Sequence, residues 1–172
     1  MKKIILILLF PILAFGQNCK NATKNIIIGD SCTPLIAKHT ENASLSVWKG
    51  GIGVSWLTQA IHLKKPDESV ANVIINIGTN DNFSSRVDIE KLFINLRRAY
   101  PCATFIAVQG SWGWGGNKGI KESKVKAFYG IFKSHGAYII DPPIGSVSDP
   151  HSDLKVYSLI GKEIDKKLKI KN

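Results

Sequence analysis

The chain is poor in the residues that build metal and redox centres. Its 172 residues hold three cysteines, Cys19, Cys32 and Cys102, with no CxxC pair and no Cys/His spacing that would frame zinc. An odd count allows at most one disulfide. The alternative is that Cys102 and Cys32 serve as small buried hydrophobes. Acidic residues are also scarce, 13 Asp and Glu against 23 Lys and Arg, for a formal charge of +10. Such an excess suits nucleic acid, yet two of the lysines open the chain and others crowd into KEIDKKLKIKN, the pattern of a solvated basic helix face. No nucleic-acid partner is expected; attraction to anionic cell-surface polymers is a secondary property of such a face. Internal repeats, low-complexity segments and a second domain are all lacking, so one domain with a real core is expected.

A long apolar run is lacking too. Ile4 to Phe15 is too short to span a bilayer comfortably, follows the positive Met-Lys-Lys, and ends at Ala14-Phe15-Gly16, small residues spaced for cleavage before Gln17. Residues 1–16 therefore read as a secretory signal peptide, with an uncleaved anchor as the alternative, and 17–172 as the mature domain. Cys19 follows Gln-Asn rather than the small residue of a lipoprotein site, which argues against a lipid anchor. A secreted or periplasmic protein without stable membrane association is expected.

What the chain does have is alternation. Apolar strand-length runs at Asn25–Ile28, Leu45–Trp48, Val70–Ile77, Thr104–Val108 and Ala137–Ile140 alternate with helical stretches. The helices are predicted from Pro34 towards His39, over Val54–His62 and Val87–Tyr100, and from about Lys121 to Lys133 and Leu154 to Leu168. Nearly all-apolar strands interleaved with helices predict a parallel sheet covered on both faces: an α/β, three-layer α/β/α sandwich with five strands. In such sheets ligands bind outside the carboxyl ends of the strands. The segments leaving the strands are GDSCT, KGGIG, GTNDN, QGSWGWGG and DPPIGSVSDPH, which concentrate glycine, amide and hydroxyl groups.

Within them Ser31 stands between a strand and a helix, near N–H groups that favour developing negative charge; its alternative role is a helix cap. His39, His62 and His135 fall at predicted helix C-termini, where an imidazole has a structural reason to be. His151 lies instead at the sheet edge that carries Ser31. A serine nucleophile needs such a base and a set of oxyanion donors, available here from the Ser31 N–H, a glycine N–H in GGIG and the Asn80 amide. Asn80 also suits a plain turn. Trp112 and Trp114, raised on a glycine-rich loop, are candidate sugar-stacking residues or a hydrophobic plug. Trp48 and Trp56 are expected in the core.

GDS at the first strand, a glycine after the second, GTND after the third and a histidine before the last helix together resemble the SGNH hydrolases, the GDSL-like esterases and lipases. The resemblance implies their flavodoxin-like fold, with Ser31 as nucleophile, His151 as base, and Ser31, Gly53 and Asn80 as the oxyanion hole. Gly53 is favoured over Gly51 because Ser55 follows it at the helix start, as in similar sequences. One position departs. The family's last block is Asp-x-x-His, but Ser148 stands three before His151, with Asp149 two before and Asp153 two after. Asp149 is the first candidate acid; a backbone carbonyl or water, Asp141 and Asp153 are the others. The implied function is an exported serine esterase acting on a small-molecule or polysaccharide ester, O-acetylated carbohydrate among them, without cofactor or metal. Acyl transfer to a sugar hydroxyl is the alternative chemistry, and a non-catalytic glycan-binding or phage-associated module the rival of another class.

Overall fold

The structure is a computed structural model and describes residues 19–110, 120–141, 151 and 154–169. Five parallel strands form one sheet: β1 (Lys24–Gly29), β2 (Ser44–Trp48), β3 (Val70–Asn76), β4 (Thr104–Val108) and β5 (Tyr138–Ile140), ordered β2-β1-β3-β4-β5. Five helices connect them: α1 (Thr33–Lys38), α2 (Val54–His62), α3 (Ile89–Ala99), α4 (Glu122–Ser134) and α5 (Leu154–Lys169). The expected three-layer sandwich is present. Its order is the flavodoxin-like one, and the switch point lies between β1 and β3.

Alternation along the buried strands divides the core. Ile26, Ile28, Val73 and Ile75 face α2, α3 and α4, while Ile27, Ile74, Ile106 and Val108 face α1 and α5. Burial of these apolar side chains, at roughly 25 cal/mol per Å² of surface removed from water, is what holds the helices to the sheet. The amphipathic α5 buries Val156, Tyr157, Ile160 and Ile164 and leaves Lys155, Lys162 and Lys166 in water, the solvated basic face expected. His39 and His135 cap α1 and α4, and His62 ends α2, as their positions predicted.

β2 departs from expectation. Ser44, Leu45, Ser46 and Trp48 are exposed, because β2 is an edge strand paired only with β1. Trp56 packs partly buried against the α2 cluster, but Trp48 is not a core residue. Cys19 and Cys102 form the single disulfide, tying the start of the described chain to the turn after α3, and Cys32 is a buried free thiol. Among the described residues no helix is long and apolar enough to cross a membrane.

Candidate active site

β1 ends on Gly29, whose φ of +148° belongs to glycine and whose missing Cβ would overlap the Asn76 carbonyl of β3. That close approach lets the Asp30 N–H donate to Asn76 O at 3.0 Å, turning the chain sharply at the switch point. The Asp30 carboxylate then accepts the Cys32 N–H at 3.0 Å, closing a small loop around Ser31. Cys32, not Ser31, is the N-cap of α1 and makes no side-chain cap. Capping is therefore not the role of the Ser31 hydroxyl. Nor is α1, six residues long, much of a dipole.

The hydroxyl has another partner. His151 Nε2 lies 2.8 Å from Ser31 Oγ, although 120 residues separate them. Nε2 facing the serine leaves Nδ1 for an orienting group, as a serine–histidine pair requires. Of the candidate acids, Asp141 accepts a 2.6 Å bond from Gln109 Nε2 at the ends of β4 and β5. Asp149 and Asp153 lie outside the described residues, as do Ser148, Trp112 and Trp114.

The donor side is built from the loops after β2 and β3. A Cβ on Gly50 would sit 3.9 Å from that of Ser31, so the KGGIG loop runs alongside the hydroxyl. Gly53 begins α2, and a side chain there would overlap the Asp81 carboxylate, which accepts the Val54 N–H at 2.9 Å. Asp81 thus caps α2 from the neighbouring loop and fixes the Gly53 peptide. Asn80 Nδ2 donates at 3.0 Å to Ile52 O, the carbonyl of the preceding peptide, the one that carries the Gly53 N–H. A planar trans peptide points its N–H opposite its C=O, so this bond fixes the orientation of the Gly53 N–H, and the Asn80 amide keeps one hydrogen of its own. Among the described residues neither the Ser31 nor the Gly53 N–H donates to another group. Below the turn, buried Tyr129 donates its hydroxyl to Ile77 O at 2.6 Å.

Two of these residues were not singled out in the sequence. Asp81 looked like turn chemistry, and Asp30 only the middle of GDS. The Asp30 side chain is 1% exposed, and its carboxyl is pushed up to about 6. Burial is the main cause; the Cys32 N–H and nearby His151 pull the other way, and Asp81 adds to the rise. Burial raises the Asp81 carboxyl too, against the lowering effect of the Val54 N–H.

A carboxyl raised on folding stabilises the fold below its unfolded value and loses that contribution as pH rises through about 6. Asp30→Asn keeps an acceptor for Cys32 and removes the charge. Relative to wild type, the variant should therefore gain on the order of 2–3 kcal/mol between pH 4 and pH 7, at about 1.4 kcal/mol per pH unit. Urea unfolding at four pH values reads this; a flat difference would refute the burial of an ionisable carboxyl here.

No family model matches the chain, and no curated protein matches it in sequence. Its fold does match solved structures. The C-terminal catalytic domain of peptidoglycan O-acetyltransferase A from Streptococcus pneumoniae, solved with a methylsulfonyl adduct, aligns with a TM-score of 0.60 at 13% identity, over 87% of this chain and 94% of that one. A member of the lipolytic G-D-S-L family from Veillonella parvula gives 0.56 at 15%, over 85% of this chain and all of the other. A carbohydrate esterase family 2 enzyme with a carbohydrate-binding domain, from Corynascus thermopiles (Myceliophthora fergusii), gives 0.57 at 18%; 84% of this chain spans 65% of that one. The five-stranded parallel fold is that of these hydrolase and acyltransferase structures.

Proposed function

We propose that the protein is an exported serine esterase of the SGNH type, acting through an acyl-serine intermediate. The observation that carries this is the 2.8 Å contact between His151 Nε2 and Ser31 Oγ at the switch point of the sheet. In the proposed reaction His151 takes the Ser31 proton as Oγ attacks the ester carbonyl. The Ser31 and Gly53 N–H groups and the remaining Asn80 amide hydrogen receive the oxyanion, and His151 returns the proton to the leaving alcohol. Water activated by the same imidazole then attacks the acyl-serine and releases the acid. Asp149 is proposed to hold Nδ1. Export follows removal of residues 1–16, leaving 17–172 as one domain; the Cys19–Cys102 disulfide suits an oxidising compartment.

O-acetylated carbohydrate is the proposed substrate class, supported by the fold shared with a carbohydrate esterase and a peptidoglycan O-acetyltransferase. The second of these also favours acetyl transfer to a sugar hydroxyl as an alternative to hydrolysis. Acetate release from acetylated xylo-oligosaccharides, followed with and without a second sugar acceptor, tests both. The proposal expects release that disappears in Ser31→Ala, with transfer seen instead as acetylated acceptor by mass spectrometry. Neither product above the Ser31→Ala background, from these sugars or from p-nitrophenyl acetate, would leave the non-catalytic module as the better account.

A further inference from the structure

Among the described residues only two outside glycine have a left-handed backbone, and they are neighbours: Asn82 at φ 48° and Phe83 at φ 52°. They close the turn that carries Asn80. Asparagine tolerates this region, but a bulky phenylalanine is strained there, and such strain persists only where the surroundings hold it. Here the holding groups are plain. The Phe83 ring is 1% exposed and meets Phe128 of α4 edge to face, 5.8 Å between centroids, with Tyr129 at 6.1 Å. It fills a slot left by two missing side chains: a Cβ on Gly110 would come within 2.6 Å of the ring, and one on Gly78 within 3.2 Å. Those glycines follow β4 and β3, so the ring is wedged between two strand ends.

The backbone ties the strained residue to the turn. Gly78 O accepts the N–H groups of both Asp81 and Phe83, at 3.1 and 3.0 Å, and the Asn82 N–H donates to Thr79 O at 3.1 Å. Residues 78–83 thus form one closed loop, with the Tyr129 hydroxyl bonded to the Ile77 carbonyl just before it. From the middle of this loop the Asn80 and Asp81 side chains cross to the segment before and at the start of α2, reaching Ile52 O and the Val54 N–H. We infer that Phe83 is a positioning residue for the oxyanion hole, whose buried ring holds the loop in the left-handed form that aims the Asn80 amide. The functional half of the inference rests on the esterase proposal. A turn that needs only a left-handed residue is served best by glycine, which adopts that backbone freely. Phenylalanine makes the conformation depend on the slot its ring fills, and so couples the loop to α4 and to the end of β4.

The test compares Phe83→Leu and Phe83→Gly with Phe93→Leu, a change at an equally buried phenylalanine of α3 whose ring packs on Phe105, Phe132 and His135. Hydrolysis of p-nitrophenyl acetate is followed beside thermal melts, with each Phe83 variant also made on the Asn80→Ala background. Phe83→Gly should lower kcat roughly tenfold and Phe83→Leu roughly three- to fivefold, with KM held within about twofold. Phe93→Leu should lower the melting temperature and leave kcat nearly unchanged. On the Asn80→Ala background either Phe83 substitution should cost less than about twofold, because the group it aims is already gone. Should Phe83→Gly not fold, Phe83→Leu carries the same comparisons. Equal losses on both backgrounds, or an unchanged kcat in Phe83→Leu, overturn the inference. Nuclear magnetic resonance reads the aim without catalysis: the Asn80 Nδ2 resonances should shift towards those of a free asparagine amide in Phe83→Leu but not in Phe93→Leu. A wild type inert towards the ester sinks the esterase proposal and leaves these resonances to decide the positioning, which fails if Phe83→Leu does not move them.

Discussion

Ser31→Ala should lower kcat for ester hydrolysis by about four to six orders of magnitude, and His151→Ala by about as much. The double variant should be no worse than either single one, because the two groups act as one unit: without the imidazole the hydroxyl is a poor nucleophile, and without the hydroxyl the imidazole has nothing to activate. The fold should survive. The Ser31 hydroxyl caps no helix, and its partner His151 is exposed, so the melting temperature should move by only a few degrees. Additive losses would mean that the 2.8 Å contact is structural rather than a working pair.

Asn80→Ala should cost roughly a hundred- to a thousandfold in kcat with little change in KM for a small acetyl ester. Its amide is proposed to act twice, as a donor in its own right and through the bond to Ile52 O that fixes the peptide carrying the Gly53 N–H. Asn80→Asp should be at least as damaging. It places a carboxylate where negative charge develops and cannot donate to Ile52. Asn80 is exposed and closes a short turn, so a residue serving only that turn would lose stability and keep its rate. Steady-state kinetics beside thermal melts distinguishes the two: loss of rate at nearly constant stability supports the donor, and the reverse pattern removes it.

The fold was largely written in hydrophobic runs. Val54–His62 and Thr104–Val108 have the boundaries their apolar pattern predicts, Gly53 opening the first and Gln109 following the second, and both pack on the shared core. β2 was legible as a strand but not as an edge. Edge position depends on which strands pair, and that is settled by the crossover, not by the strand itself; the alternating serines of SLSVW were the local hint. α1, predicted from Pro34 towards His39, starts one residue earlier at Thr33, because the turn after Gly29 ends at Cys32, which serves as its N-cap.

The candidate site was legible as an order of motifs along the chain, which is how Ser31 and His151 could be paired across 120 residues. Asp81 and Asp30 were not legible, since their roles exist only through contacts made on folding: one caps a helix 27 residues earlier, the other is buried beneath the turn that it closes.

The central claim is that Ser31 is a histidine-activated nucleophile. The most direct measurement is reaction of the protein with a fluorophosphonate, followed by peptide mass mapping. The account predicts one adduct per chain, on Ser31, formed far more slowly when His151 is alanine. No adduct, or an adduct on another residue with Ser31 unmodified, would contradict it.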